Sequence, residues 1–264
     1  MAMPKLRSAV YYLQHPSHWA HFSRRALKYF QSDLDSENDR AEAHLWARNR
    51  AQPLNDLLAH LGLTSAPQDE LPRMDARILQ EAGQRAAQSK IKMGGGGHIE
   101  LIYAIARLTG ARSVVETGVA YGWSSLAFLA AMEWNGGGSL VSVDRPYPGA
   151  GNEPYVGIAV PDRLRRNWTL IREPDRNGLK RAVAQFPDGV DIAHYDSDKS
   201  YRGREFAYPI IWNALRPGGL FLSDDIQDNL AFAHFVRDRD VSYGVVAGEG
   251  KYVGIAIKPG AWKS

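Results

Sequence analysis

Cysteine is absent from the 264-residue sequence. Its absence excludes disulfides, a thiolate nucleophile and cysteine-ligated zinc, and it fits a reducing compartment. The sequence also lacks a run of about 18 apolar residues, the length that a membrane span requires, and an apolar N-terminal segment ending at a small-residue cleavage site. We therefore expect a cytoplasmic protein with no membrane partner, long enough to bury a sizeable core.

A large excess of one charge is missing as well. Lys and Arg total 32 against 29 Asp and Glu, which gives a net charge of +3. The basic residues alternate with acids, for example in 162–166 and 172–176. Mixed charge of this kind is typical of a solvated surface and not of a nucleic-acid-binding stripe. We expect no nucleic-acid partner.

The stretch around which the chain is organised is 114–132. Residues 114–117 begin with an apolar β-branched pair typical of a buried strand, the chain turns through Gly118 and Gly122, and residues 126–132 continue as an apolar helix. A strand, a glycine turn and a helix make the first half of a nucleotide-binding βα unit, because the free N–H groups at the helix start face the ligand.

The spacing of these glycines argues against a dinucleotide. Dinucleotide binders carry G-x-G-x-x-G, whereas Ala120 stands here at the second glycine position. The next apolar run, 140–143, ends in Asp144, at the point where such folds hold a ribose diol. Together, Glu116, Gly118 and Asp144 resemble the signature of class I S-adenosylmethionine-dependent methyltransferases. An ordinary helix-packing glycine pair is the alternative interpretation.

From residue 112 onward, short apolar strands alternate with helices, the last of which is predicted over 226–238. The chain then ends in two strands, 241–247 and 252–258, joined by a tight turn at 248–250. Alternation predicts an α/β fold with a parallel sheet covered on both faces. The whole pattern matches a Rossmann-like seven-stranded methyltransferase sheet, mostly parallel with an antiparallel C-terminal hairpin. We expect residues 91–264 to form the S-adenosylmethionine-binding domain.

Residues 1–90 predict a helical N-terminal extension with helices near 17–31, 37–61 and 72–90. The extension is expected either to cover the substrate side or to form the interface of a homodimer. Its acids at 33–39 lack the glycine and the terminal bidentate acid of a calcium loop, so they predict a solvated turn and helix cap.

Two further segments have loop composition. Residues 94–97 are four consecutive glycines, which favour either a flexible linker or a mobile loop that closes over the cofactor with Met93 as an apolar lid. Residues 145–155 are rich in proline, glycine and aromatics and follow a strand at its carboxyl end, where ligands bind in open α/β sheets. We assign this loop to substrate shaping, against a plain surface insertion.

Acidic residues gather at two strand ends. The fourth predicted strand ends at Asp196, followed by Asp198 and Lys199, and the fifth ends at Asp224 and Asp225. Adjacent parallel strands bring these carboxylates to one edge, where they repel one another unless a cation neutralises them. An all-oxygen ligand set favours Mg²⁺ first, with Ca²⁺ or Mn²⁺ as alternatives. The simpler alternative is that these acids cap a helix and that the lysine is a surface charge.

The same residues resemble the metal-dependent catechol and caffeoyl-coenzyme-A O-methyltransferases over residues 91–258. The resemblance implies a metal held by Asp196, Asp224 and Asp225, and a lysine base, Lys199, beside the acceptor oxygen. The family usually has Asn at the position of Asp225, and the additional carboxylate could shift the preference toward Ca²⁺. A small hydroxylated molecule is the expected methyl acceptor.

The expected enzyme is therefore an S-adenosylmethionine-dependent O-methyltransferase, assisted by a divalent metal, in which Lys199 and Asp196 are the catalytic residues. A metal-independent methyltransferase of a sugar, polyketide or nitrogen acceptor and a non-catalytic nucleoside-binding protein are the alternatives. The candidate cofactor-binding residues are Met93, Glu116, Gly118, Tyr121, Gly122, Ser124, Asp144, Asp175 and Asp196.

Overall fold

The computed structural model describes residues 35–67, 70–96, 98–248 and 250–260. Its α-helices are α1 (Glu37–Arg48), α2 (Leu54–His60), α3 (Ala76–Ala86), α4 (Ile99–Leu108), α5 (Trp123–Trp134), α6 (Asp162–Arg165), α7 (Asp175–Val183), α8 (Tyr201–Ala214) and α9 (Ala231–Arg239). Its strands are β1 (Ala51–Gln52), β2 (Ser113–Thr117), β3 (Ser139–Val143), β4 (Trp168–Ile171), β5 (Val190–Tyr195), β6 (Leu215–Ser223), β7 (Tyr243–Gly248) and β8 (Lys251–Ile257). None of the helices among these residues has the length and apolar character needed to cross a bilayer.

The strands form one sheet in the order β1-β7-β8-β6-β5-β2-β3-β4. Only β8 runs against its neighbours, pairing antiparallel with β6 and β7, while the other neighbouring pairs are parallel. The prediction of a Rossmann-like, mostly parallel sheet with an antiparallel C-terminal hairpin is confirmed. The sheet has eight strands and not seven, because the two-residue strand β1 pairs with β7 at its edge.

Two apolar layers cover the faces of the sheet. Neighbouring residues of β2 divide between them, since Val114 belongs to the core on one face and Val115 to the core on the other. Helices α4 and α5 fill the first layer, and α7, α8 and α9 fill the second. A sheet buried on both faces leaves its strand ends as the accessible edge, and that edge is where a ligand site can form.

The N-terminal extension differs from its prediction. The helix expected over 37–61 is interrupted: α1 ends at Arg48, β1 follows, and α2 begins after Pro53. A proline removes a backbone donor and fixes φ, so it suits the start of a helix and not its interior. The helix expected over 72–90 is confined to α3, and the one expected over 17–31 lies outside the described residues.

A second prediction needs correction at the end of the sheet. The single helix expected over 226–238 is a 3₁₀ turn, Ile226–Asp228, followed by α9. Asn229 separates the two with an extended backbone, and its side-chain oxygen accepts a hydrogen bond from the Ala231 N–H at 3.2 Å. Asparagine competes for backbone hydrogen bonds in this way and thereby ends one helix and begins the next.

Gly254 lets α9 lie directly on β8. A Cβ at this position would overlap the ring of Phe232, which is fully buried on α9. We expect Gly254→Ala to lower the free energy of unfolding by about 1–3 kcal/mol, because a rigid aromatic ring has to move. Thermal unfolding measures this as a loss of several degrees, at about 2–4 °C for each kcal/mol.

Gly83→Ala is the control, since nothing lies within 4 Å of a Cβ there and Gly83 is inside α3. This substitution should leave the protein unchanged or stabilise it by about 1 kcal/mol. Equal melting temperatures for the two variants would show that the contact between α9 and β8 is not as close as described.

Candidate functional site

A cleft of about 890 Å³ lies at the carboxyl ends of the parallel strands. The loops after β2, β3, β4 and β5 each contribute to it, as expected for a ligand site in an open α/β sheet. Its lining residues include Ile91, Met93, Gly118, Val119, Ala120, Asp144, Tyr147, Asn152, Asp175, Asp196, Ser197, Asp198 and Lys199, with Asp35 from the N-terminal extension.

The floor of the cleft is the turn after β2. Gly118 has φ +80°, and a Cβ there would overlap the carbonyl oxygen of Asp196. The Gly118 N–H donates to Val143 O at 2.8 Å, and the Asp196 N–H donates to Thr117 O at 2.9 Å. Only glycine combines this backbone conformation with so close an approach. These contacts bring the ends of β2, β3 and β5 together at the floor of the cleft.

Four of the predicted cofactor residues support this turn and do not line the cleft: Glu116, Tyr121, Gly122 and Ser124. The Glu116 carboxylate is fully buried and accepts hydrogen bonds from the hydroxyls of Ser124 at 2.5 Å, Ser125 at 2.5 Å and Ser142 at 2.7 Å. A buried carboxylate with three donors is well satisfied within the protein. Glu116 therefore ties the start of α5 to β3.

Tyr121 and Gly122 act at the other end of the same turn. The Tyr121 hydroxyl donates to the carbonyl of Ile91, which fixes the segment preceding the glycine run. Gly122 has φ +87° and occupies the N-cap position of α5. Met93 lines the cleft beside Ile91, so the residue predicted as an apolar lid does lie in the cleft wall.

Two carboxylates of the cleft wall have raised pKa values. Asp144 is 7% exposed and accepts from the Val119 N–H at 3.2 Å. Burial raises the pKa of Asp144, although its close ion pair with Arg172 acts in the opposite direction. Burial also raises the pKa of Asp175 to about 6, opposed by a hydrogen bond from Ser197. Both acids face the cleft from neighbouring strand ends.

Arg172 was not predicted from the sequence as a site residue. Its guanidinium bridges Asp144 to Glu153, whose carboxylate lies 2.6 Å away. Glu153 belongs to the loop 145–155, and Tyr147 and Asn152 of that loop line the cleft. The loop is therefore tied to Asp144 in the cleft wall. A separation of 28 residues between Arg172 and Asp144 gives no local signal for this pairing.

The acid cluster, defined as Asp196, Asp224 and Asp225, is present as predicted. One carboxylate oxygen from each of the three residues lies within 4.8 Å of the others. Within the described part of the chain, the buried Oδ1 atoms of Asp196 and Asp224 accept no hydrogen bond. Burial and the charge of Asp224 raise the pKa of Asp196. Unsatisfied carboxylate oxygens at this spacing fit a hard divalent cation.

Two lysines reach the acid cluster. Lys199 forms a close ion pair with Asp225 and lies 3.4 Å from Asp196 Oδ1. Lys251, at the start of β8, lies 3.2 Å from Asp225 Oδ1 and was not predicted. Asp225, which stands where the resembled family usually has asparagine, thus pairs with two lysines. Asp198 lines the cleft but is not one of the three clustered carboxylates; it accepts hydrogen bonds from the N–H and hydroxyl of Ser200, the N-cap residue of α8.

Residues 115–226 match the family model described as Methyltransferase domain. This segment is similar to a methyltransferase domain. This match covers the turn after β2, Asp144, Asp175 and the whole acid cluster. The sequence-based identification of a class I S-adenosylmethionine-dependent methyltransferase, and of an enzyme, is confirmed.

Solved structures agree with the fold. An O-methyltransferase from Bacillus cereus in complex with SAH is 15% identical, with a TM-score of 0.52, over 78% of this chain and 100% of that one. An SAH-bound methyltransferase from Podospora anserina is 14% identical, with a TM-score of 0.54, over 72% of this chain and 92% of that one. At this identity the likeness shows the fold alone. The sequence has no significant match among curated proteins.

The turn after β2 yields a direct test. We expect Gly118→Ala to weaken SAH binding by at least about tenfold, because the added Cβ displaces the Asp196 carbonyl from the cleft floor. Calorimetric titration measures the affinity. Gly110→Ala is the control, since Gly110 has φ +60° but open space around a Cβ. The control should cost stability only, and an equal loss of affinity in both variants would contradict the role of the close approach.

Asp175 predicts a pH dependence of stability. Its folded-state pKa of about 6 exceeds the ordinary 3.8, so the folded protein binds its proton more tightly than the unfolded chain does. Stability from this group is present below pH 3.8 and is lost as the pH rises through about 6.

The isosteric Asp175→Asn variant lacks this titration. Between pH 4 and pH 7 the wild-type protein should therefore lose stability that the variant keeps. The free energy of unfolding of the variant minus that of wild type should increase by up to about 3 kcal/mol over this range. Denaturant unfolding at both pH values measures the difference. A difference that does not change with pH would show that Asp175 titrates normally.

Proposed function

We propose that this methyltransferase transfers the methyl group of S-adenosylmethionine to a hydroxyl oxygen of a small molecule, with a divalent cation at the acid cluster. The observation that carries the proposal is the pair of buried carboxylate oxygens, on Asp196 and Asp224, that lack hydrogen bonds beside the cleft. Such groups cost free energy unless a ligand satisfies them. A cation that also binds the acceptor hydroxyl accounts for their position.

The cofactor end of the cleft supports the same proposal. The Gly118 turn offers a close backbone approach, and Asp144 can accept hydrogen bonds from ribose hydroxyls. Asp175, at the start of α7, stands on the next strand end, where an adenine would lie. Bound S-adenosylmethionine supplies an electrophilic methyl group. The protein has to align the acceptor with that group and keep water away.

The acceptor end lies beside the acid cluster. Asp196, Asp224 and Asp225 would hold Mg²⁺, Ca²⁺ or Mn²⁺ through oxygen ligands. A bound cation there would lower the pKa of an acceptor hydroxyl and orient it. Lys199 Nζ lies between Asp196 and Asp225 and is placed to hold the proton that leaves the hydroxyl. Because an ammonium group accepts no proton, this role requires Lys199 to be neutral before transfer.

One observation favours a metal-independent methyltransferase as the second candidate. Lys199 and Lys251 both pair with Asp225, so two ammonium groups already offset much of the negative charge of the acid cluster. In that case the lysines alone would orient the acceptor. This candidate predicts full methyl transfer in EDTA, whereas the metal-assisted proposal predicts its loss and its recovery on adding Mg²⁺.

Asp224→Asn separates these candidates. Methyl transfer to a simple catechol should fall by at least about 100-fold, because loss of a carboxylate ligand removes several kcal/mol of charge stabilisation. The SAH affinity should stay within about threefold of wild type. Radiolabelled methyl transfer and calorimetry measure the two quantities.

Asp188→Asn, at an exposed site outside the acid cluster, is the matched control and should behave as wild type. Equal losses of transfer and of SAH affinity in Asp224→Asn would show that the acid cluster serves the fold or the cofactor. Unchanged transfer in both variants, with or without EDTA, would favour the metal-independent candidate.

A further inference from the structure

Arg204 lies beneath the acid cluster without being part of it. The side chain belongs to the first turn of α8 and is fully buried. Its Nη2 donates to the carbonyl oxygens of Asp224 at 3.2 Å and Asp225 at 2.7 Å. No carboxylate of the described residues lies within ion-pair distance of this guanidinium. The Arg204 guanidinium thus donates to the backbone carbonyls of the two acids that follow β6.

Those carbonyls belong to a backbone that needs support. Asp225 has φ +51°, in the left-handed region that residues other than glycine seldom adopt. Two donors hold its carbonyl oxygen in place, Arg204 Nη2 and the Asp228 N–H at 3.1 Å. Strain of this kind persists only where surrounding contacts determine it. Arg204 is therefore part of what points the Asp225 carboxylate into the acid cluster.

Asn229 joins this loop to the loop that carries Lys199. Its side-chain oxygen accepts from the Ala231 N–H at 3.2 Å and lies 3.4 Å from Arg204 Nη1. Its side-chain NH₂ donates to the Lys199 carbonyl at 2.8 Å. The residue is 1% exposed. One buried amide thus fixes the backbone of Lys199 relative to the loop after β6.

Asp35 extends the same hydrogen bonds into the N-terminal extension. Its Oδ1 accepts from Asn229 Nδ2 at 3.0 Å and from the Tyr201 N–H, at the start of α8, at 2.9 Å. Asp35 also lines the cleft. The sequence predicts only a solvated turn here, since the partners lie 166 and 194 residues away.

We propose that Arg204, Asn229 and Asp35 are positioning residues for methyl transfer. Through buried hydrogen bonds they set the distance between the loop of Lys199 and the loop of Asp224 and Asp225, and they make the N-terminal extension part of the site. The inference rests on the proposed function, because the proposed function places the cation and the acceptor at these two loops.

The burial of Arg204 indicates that this side chain positions the backbone of the loop after β6 and does not only fill space. An apolar side chain of similar volume would fill the same space without the free energy of desolvating a guanidinium. An apolar residue lacks a donor that can hold two carbonyls at once, as Arg204 Nη2 does. Removal of such outer contacts typically lowers metal affinity or activity by about 10- to 100-fold.

Three variants test the proposal without exchanging Arg204, whose replacement could prevent folding. Asn229→Asp keeps the oxygen that faces Arg204 and Ala231 but removes the donor to Lys199 and Asp35. Asp35→Ala removes the acceptor, and Asp35→Asn retains an acceptor oxygen in the same place. Asp35→Asn is therefore the conservative variant that should rescue the effect of Asp35→Ala.

Four quantities are measured in the full chain. The kcat and the KM for S-adenosylmethionine are determined with 3,4-dihydroxybenzoate as acceptor and Mg²⁺ present. Calorimetry gives the affinity for SAH. Amide hydrogen exchange of residues 197–200 and 224–229, in the protein without added cofactor or metal, reports directly on whether the two loops have loosened.

We expect Asn229→Asp and Asp35→Ala to lower kcat by about tenfold or more, while KM and the SAH affinity stay within about threefold. Exchange in both loops should rise by about tenfold or more in these variants. Asp35→Asn should remain near wild type in every quantity. Unchanged kcat and unchanged exchange in Asp35→Ala, or equal impairment of Asp35→Ala and Asp35→Asn, would overturn the proposal.

The exchange measurement separates this inference from the proposed function. If the wild-type protein transfers no methyl group to the diol, the proposed function fails in that form. Loosening of both loops in Asn229→Asp and Asp35→Ala would still support the positioning role, and unchanged exchange would refute it.

Discussion

The site depends on the close approach of two backbones at the carboxyl end of the sheet. Gly118 leaves no room for a side chain between the turn after β2 and the carbonyl of Asp196, and so the tips of β2 and β5 meet directly. The cleft floor, Asp144 and the acid cluster are all placed relative to that contact. A buried carboxylate, Glu116, stabilises the turn from below by accepting hydrogen bonds from three serines.

Charge balance is the second constraint. The acid cluster places three carboxylates within 4.8 Å of one another at the edge of an apolar core, a costly arrangement without cations. Lys199 and Lys251 offset part of this charge at Asp225, and Lys199 Nζ lies 3.4 Å from Asp196 Oδ1. The buried Oδ1 atoms of Asp196 and Asp224 nevertheless accept no hydrogen bond from the described residues and keep acceptor capacity. That remaining capacity is what the proposed cation would use.

Local patterns in the sequence predicted what local physics determines. Alternating strands and helices, the glycine turn at Gly118 and the acids at strand ends follow from periodicity and from the way parallel strands end at one edge. Contacts between distant segments could not be predicted in this way. Lys251 reaches Asp225 from the last hairpin, Arg204 is buried beneath the acid cluster, and Asp35 meets α8 from 166 residues away. Each depends on how the completed fold brings segments together, and no spacing along the chain encodes it.

The measurement that tests the account most directly is a calorimetric titration of SAH into the wild-type protein and into Asp144→Ala. We predict a dissociation constant on the order of 1 μM for wild type and binding at least about tenfold weaker for the variant, because the Asp144 carboxylate lies in the cleft wall and can accept hydrogen bonds from ribose hydroxyls. Absence of binding by the wild-type protein, or equal affinity in the two proteins, would contradict the assignment of the cleft to this cofactor.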